Sequence, residues 1–267
     1  MEVLAIQEQL RTMLRQNGIC DVGFTTLEEQ DLQWMEEQGL GVGKCRYGMS
    51  LVARLSDGIV NEIDGAPTHT YFHHYRTVNT FLDQMALRAG ILLAQNGYEY
   101  ITVAASQSIN NNGWNYNGRF SHKHLACHCG LGTIGKSALF LHNVYGPRVR
   151  LASVFTDCPF PQAPQEPKSV CGNCTLCYNA CPAHAISGKE WRIDMERTEL
   201  FNPEKCSQHM KTAYQKSGEG RFVAFVCRFA PEGRREIRAN YWQISMYKTR
   251  IISISLCNTH FVPTPTL

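Results

Sequence analysis

Four cysteines fall within the run CGNCTLCYNACP, residues 171 to 182, and their spacing is C-x2-C-x2-C-x3-C-P. That spacing is a bacterial pattern for binding 4Fe-4S clusters. A tight loop would aim the thiolates of Cys171, Cys174 and Cys177 at three irons of one cubane, while Cys181 is expected to start a helix that carries it toward a second cluster. Pro182 suits the first turn of such a helix, where no backbone donor is needed. The competing reading is a zinc site. Zinc usually pairs two separated C-x2-C knuckles, and needs neither a third cysteine at this spacing nor a fourth before proline.

Further ligands would come from Cys206, Cys227 and Cys257. Two complete cubanes, each held by four thiolates, require more than the seven cysteines present from residue 171 onward. Either one cluster is absent, or a non-cysteine or upstream ligand such as Cys158 fills the vacancy.

A second chemical candidate is GLGTIGKS, residues 130 to 137, which matches the phosphate-loop pattern G-x-x-x-x-G-K-[ST]. Its glycines, Gly130, Gly132 and Gly135, also match the dinucleotide pattern G-x-G-x-x-G. Both patterns demand a strand before the loop and a helix after it. The preceding SHKHLACHC is too polar for a buried parallel strand, and the following ALFLHNVYGP is short and broken by glycine and proline. That context argues against either fold, while Asp157, which could imitate the acidic end of a nucleotide-binding strand, keeps a nucleotide hydrolase as a rival. The plainer reading is a tight turn, or close backbone approach to a flat ligand.

The elements that must position these residues follow from hydrophobic periodicity. Val3, Ile6, Leu10 and Leu14 predict an opening helix ended by Gly18, and ICDVGF a strand. YGMSLVARL predicts another strand, followed by a long helix with Val78, Leu82, Met85, Ala89 and Leu92 on one face and Gly97 at its end. YEYITVAAS reads as a strand and SQSINNNGWNYNGR as a polar loop, of the long kind that often carries function. SHKHLACHC is helix-like, and ALFLHNVY and VRLASVF are strands. Pro159, Pro161, Pro164 and Pro167 then favour an extended connection at a module boundary.

The composition suits a globular protein that can bury a core, with 43% apolar and 18% charged residues, and a net charge of +3 is too small to imply nucleic acid as the main partner. The N-terminal MEVLAIQEQLRTMLRQNG lacks the pattern of a secretory signal, and no uncharged apolar stretch reaches the length of a membrane span. Reduced thiols in a cytoplasm are the expected state of the twelve cysteines.

Three pieces in order resemble the epoxyqueuosine reductase family and its relatives, the reductive dehalogenases. They are SHKHLACHCGLGTIGKSALFLHNVYGPRVRLASVFTD, the proline connection, and CGNCTLCYNACPAHAI. The resemblance runs over roughly residues 1 to 235, includes APTHTYFHHYRTVNTFLDQMALRAG, and points to short members that lack the C-terminal repeat domain. It implies an α+β fold: a mixed-sheet, cobalamin-binding domain with flanking helices over residues 1–157, a connection over 158–170, a ferredoxin-like module over 171–235, and a divergent tail over 236–267. The module would deliver low-potential electrons to cobalt, with Cys206 and Cys227 among its ligands. Gly130, Gly132, Gly135 and Lys136 would hold the corrinoid. The implied partners are a ferredoxin or flavodoxin as electron donor and a small molecule or tRNA as substrate.

Two departures bear on that implication. The stretch WNYNGRFSHKH holds no carboxylate where the family carries a proton-donating Asp; Tyr116 stands about there, and His122 and Lys123 are the nearest titratable substitutes. The distal motif, expected as C-x2-C-x3-C-P, is CRFAPEGRR, in which only Cys227 survives. The tail from about Arg228 thus reads as a frame-shifted or truncated ending, with the site served by Cys181, Cys206 and Cys227 only partly occupied.

The remaining candidates have plainer readings. His73 and His74, and the group His122, His124 and His128, offer metal ligands, but the second group does not share one helical face, so solvated or corrinoid-facing roles fit better than zinc. Cys127 and Cys129 read as structural cysteines. Arg119, Lys123 and Lys136 would meet phosphate or propionamide groups, or only water. The expectation is an oxidoreductase passing electrons from clusters to cobalamin, with a non-catalytic cluster or corrinoid carrier as the alternative.

Overall fold

The computed structural model describes residues 2–106, 116, 118–193 and 195–214. Cys227, Cys257 and the tail with its proposed altered ending lie outside the described residues, as does most of the polar loop before residue 118.

The chain opens with α1 (Val3–Gln16), whose Ile6, Leu10 and Leu14 recur on one face and are fully buried. Each such side chain contributes roughly 1.5–3 kcal/mol by leaving water. Next come β1 (Asp21–Thr26), α2 (Glu29–Glu37), β2 (Tyr47–Arg54) and the short α3 (Asp57–Asn61). The 27-residue α4 (His69–Gln95) starts at Thr68, whose hydroxyl accepts the Tyr71 N–H at 3.0 Å. Its inward face is Val78, Leu82, Met85, Ala89 and Leu93, and Gly97 follows its end with a left-handed φ of 84°.

After β3 (Tyr100–Val103) and α5 (His122–His128) the chain forms a hairpin of β4 (Gly132–Ile134) and β5 (Phe140–His142), then β6 (Val149–Thr156). The main sheet has the order β1-β2-β6-β3. All three of its ladders are antiparallel, with Asp21 opposite Val52, Val52 opposite Leu151, and Tyr100 opposite Thr156. The expected mixed sheet is thus an antiparallel one among the described residues. Its strands nevertheless read as continuous apolar runs, because both faces are covered. Met49, Leu51, Ala152 and Val154 face the core shared with α1 and α4, while Val52, Leu151 and Phe155 face the opposite layer, where α5 packs.

The opposite layer is seated by two glycines. A Cβ on Gly23 of β1 would lie 2.4 Å from Cβ of Cys129, and one on Gly48 of β2 would lie 2.5 Å from Leu125 Cδ1. With hydrogen at both positions, α5 and the turn after it lie directly on the strands.

Beyond β6, residues 158–175 have no regular structure but are tied to the sheet layer, since Gln162 O accepts the Thr26 N–H at 2.8 Å and the Gln165 N–H donates to His128 O at 2.8 Å. The last elements are α6 (Leu176–Ala180), α7 (Arg197–Leu200) and α8 (Pro203–Ala213). The helix expected to begin at Cys181 instead ends there: Cys181 is the extended C-cap of α6. The following Pro182 disfavours helical geometry at residue 181, which explains the reversal. No helix among the described residues is long and apolar enough to cross a membrane.

The seating of α5 generates a stability prediction. Gly23→Ala should lower the unfolding free energy by about 1–3 kcal/mol through overpacking, whereas Gly41→Ala, which has open space around it, should change it by less than about 0.5 kcal/mol. Equal urea midpoints for the two variants would show that α5 does not depend on the gap.

Candidate functional site

The first three cysteines of the motif form a loop-and-helix hook. The Cys174 N–H donates to Cys171 O at 2.9 Å, and Cys177 lies on α6. All three are half-buried. Burial pushes the Cys171 thiol above its ordinary value, opposed by the Lys136 N–H that donates to its Sγ at 3.5 Å, and Cys174 pushes it up again. Cys177 is likewise raised by burial and then by Cys171 and Cys174. Three thiolates here would repel one another in a desolvated place, and positively charged iron between them would relieve that cost. The donor set therefore fits an iron–sulfur core.

Cys181 belongs to a separate group. Its Sγ accepts the Ala185 N–H at 3.4 Å, and it is buried with Ala185 and Ile186. A bridge between Ile186 and Phe201, with the Asn202 N–H donating to Ala185 O at 2.8 Å, folds the chain back. The fold-back starts α8, whose Asn202 side chain caps the Lys205 N–H and whose Cys206 packs beside Cys181. Cys206 is raised by burial and then by Cys181. The two groups share only Cys177, which also packs against the Cys181 cluster. Cys158 is brought to neither: it is fully buried in the main core, and its thiol is pushed up to about 11 by burial and Asp157, with Tyr98 hydrogen-bonded to it.

The glycine turn is occupied by the protein's own atoms. Gly130 ends α5 with a φ of 69°, and a Cβ there would meet Gln165. A Cβ on Gly132 would lie 2.1 Å from Leu141 O, inside the β4–β5 ladder, and one on Gly135 would lie 2.6 Å from Leu141 Cδ1. Lys136 is 9% exposed and its Nζ donates to Gly172 O at 2.5 Å. These four residues build a hairpin that meets the first cysteine loop. The same order of helix, turn and hairpin departs from the strand–loop–helix of a nucleotide-binding loop, and Asp157 is engaged in accepting the Glu99 N–H at 2.7 Å.

The helix α5 carries the titratable candidates. His122 Nε2 lies 2.9 Å from Ala104 O, which can only accept, so that nitrogen holds the proton and Nδ1 accepts from the Ser153 hydroxyl at 2.8 Å. Burial pushes this ring down to about 4. Lys123 Nζ donates to Ala138 O at 2.8 Å, and burial followed by Arg197 brings it down to about 8. Tyr116 has a φ of 57°, a strained conformation for a non-glycine residue, and its carbonyl accepts from Arg197 Nη1 at 2.6 Å. Arg197 comes from α7, so the cysteine-bearing segment reaches the end of the polar loop; the sequence carried no signal for this. Arg119 is exposed.

The other histidines have separate duties. His124 is pushed down to about 4 by burial and lies 5.5 Å, ring to ring, from Trp191. His128 pairs with Asp31 at 3.3 Å, and the hydrogen bond and charge of Asp31 outweigh burial and raise it. Glu28, Asp31 and His128 form the one group of three metal-ligating side chains among the described residues with ligand atoms within 4.8 Å of one another, but Glu28 and Asp31 already serve as the reciprocal cap of α2. His74 accepts the Ser56 N–H at 3.0 Å, ahead of α3. Cys127 is pushed up to about 12 by burial and Cys129 higher still, which leaves both as inert packing groups.

The engaged His122 ring has a testable consequence. Its folded value lies below the ordinary 6.5, so its contribution to stability is present above about pH 6.5 and is lost as pH falls toward about 4. The loss should reach about 3 kcal/mol. Carbon-labelled histidine spectra should show this ring neutral and protonated on Nε2 down to about pH 4, and a midpoint near 6.5 would refute the buried assignment.

No family profile matches the chain. Among curated proteins, it is 37% identical over 75 residues to an epoxyqueuosine reductase of Pseudomonas aeruginosa, covering 28% of this chain and 20% of that protein. It is 34% identical over 87 residues to a tetrachloroethene reductive dehalogenase of Desulfitobacterium hafniense, covering 31% and 14%. The matches thus span a fifth or less of those relatives. Among solved structures, a catabolic reductive dehalogenase aligns over 93% of this chain and 35% of its own, with a TM-score of 0.62 at 15% identity. A crystal structure of epoxyqueuosine reductase aligns over 79% and 59%, with a TM-score of 0.51 at 19% identity. In fold, and over part of its sequence, the chain is similar to epoxyqueuosine reductases and reductive dehalogenases.

Proposed function

We propose that this chain is an iron–sulfur oxidoreductase of the reductase type it resembles, passing single electrons from 4Fe-4S chemistry at its cysteine-rich end toward a reaction at the α5 layer. One observation carries the reading: Cys171, Cys174 and Cys177 form one mutually interacting, half-buried set, and Cys181 and Cys206 form a second. That division is the one a ferredoxin-type run requires, in which the fourth cysteine serves a different cluster from the first three. The ferredoxin-type module would extend over residues 171–235, with Cys227 in the second set. A single zinc would need all its thiolates about 2.3 Å from one ion, whereas a cubane gives each thiolate its own iron.

When bound, such a cluster supplies reversible one-electron transfer. The chain's own residues supply the rest. Lys136 and Gly172 fix the first cysteine loop on the hairpin, and Lys123 is the better-placed proton donor of the three sequence candidates. His122 is neutral and engaged at both nitrogens, and Tyr116 contributes its carbonyl to Arg197. Lys123, brought down to about 8 by burial, holds its proton below that pH and releases it more readily than an ordinary lysine. One of the similar structures belongs to a reductive dehalogenase described as B12-dependent. In this proposal a cobalamin would lie against the turn of Gly130, Gly132, Gly135 and Lys136. The absence of a carboxylate among Tyr116 and residues 118–124 favours a second reading, a cluster-bearing carrier without turnover. A ferredoxin or flavodoxin donor and a cytoplasmic setting belong to the proposal.

Anaerobic reconstitution should yield a brown protein with iron and sulfide in equal amounts. Cys174→Ser should remove most of the iron of one cluster, and Cys158→Ser should leave iron content unchanged. Zinc, or no metal, in the wild type would end the cluster reading. Cobalamin titration divides what remains: binding with reduction of an epoxide or organohalide supports the enzyme, binding without turnover supports the carrier, and no binding removes the corrinoid from the proposal.

A further inference from the structure

The lysine of the GLGTIGKS turn lies against a cysteine ligand of the proposed cluster and not against open space. The Lys136 N–H donates to Cys171 Sγ at 3.5 Å, and its Nζ donates to Gly172 O at 2.5 Å, in the residue that follows that cysteine. The residue is 9% exposed, so its charge is only weakly screened by solvent. Gly135 lets the hairpin come this near: a Cβ there would lie 3.4 Å from Cys171 Sγ and 2.6 Å from Leu141 Cδ1. The exposed Glu190 has the opposite electrostatic influence on the same thiol.

We propose that Lys136 is a positioning residue that sets the reduction potential of the cluster held by Cys171, Cys174 and Cys177, by donating its N–H to Cys171 Sγ and placing its ammonium beside the loop. The proposal rests on the cluster reading above. On reduction the cluster takes one electron from the reductant, its charge becomes more negative by one, and no bond is made or broken. A sulfur-directed N–H and a nearby cation stabilise the more negative state, so both raise the potential. Glu190 disfavours it and lowers the potential. The backbone N–H survives any substitution at residue 136, whereas the ammonium and its tie to Gly172 do not; the two contributions are therefore separable. The motif's lysine, a phosphate ligand by its spacing and a corrinoid ligand by the family resemblance, becomes an electrostatic part of the electron path.

The test is a redox titration of the reconstituted full chain with dithionite, followed by electron paramagnetic resonance, reading the signal that Cys171→Ser abolishes. Lys136→Met should shift the potential of that signal downward, Lys136→Arg should stay near wild type, and Glu190→Gln should shift it upward by a smaller amount, with iron content equal to wild type throughout. Iron-loaded Lys136→Met at the wild-type potential would overturn the proposal while leaving the cluster reading intact. Should Lys136→Met fail to hold iron, Lys136→Gln decides: a potential below wild type supports the proposal, and the wild-type potential overturns it. A wild type without the signal would overturn the cluster reading itself.

Discussion

The close approach of α5 to β1 and β2 is the constraint on which the rest of the molecule depends. Leu125 and Cys129 fill the spaces that Gly23 and Gly48 leave open. Because α5 lies that close, Gly130 can turn the chain directly into the β4–β5 hairpin, and the hairpin's own turn is carried out to meet Cys171. A helix held a few ångströms farther out would displace the hairpin and separate Lys136 from the cysteine loop. The same seating buries His122 against Ser153 and Ala104, which makes that ring a rivet between α5, β6 and the segment after β3.

The cysteine-bearing segment is attached to this layer at several points of different chemistry. Met195 and Leu200 join Ile134 and Phe140 in one apolar cluster, Lys136 reaches the first cysteine loop, and Arg197 holds the carbonyl of Tyr116. Apolar packing provides most of the attachment, and the exposed Arg197 link contributes little on its own. Lys136 and Arg197 instead set the register, each aligning a charged side chain with one backbone carbonyl.

The sequence expectations succeeded where one periodic pattern governed a segment. The opening helix, the long helix with its face of Val78, Leu82, Met85 and Ala89, and the strand runs around Met49 and Val154 all appear near their expected positions. They failed where a neighbour decided. The glycine turn resembles two phosphate-binding patterns, yet its glycines answer to Leu141 and Phe140 across the β4–β5 hairpin and to the more distant Gln165. Cys181 was expected to open a helix and closes one, since Pro182 acts backward on its predecessor. The short α2, α3 and α8 span too few turns to stand out in the sequence; α8 owes its start to the Asn202 cap and the fold-back of the chain.

What the sequence by itself determined is the chemistry on offer: a cysteine run spaced for a cluster, apolar stripes long enough for a covered sheet, and a lysine and histidines ahead of a glycine turn. These are local properties, set by residue type and by the 3.6 and 2 residue periods of helix and strand. Only the tertiary structure decided which of them act together. It buried Cys158 in another core, locked His122 between two oxygens, and turned the Lys136 N–H toward a sulfur. Those outcomes depend on distances between segments remote in the chain, which the packing of α5 on two glycines sets and which no single stretch of sequence encodes.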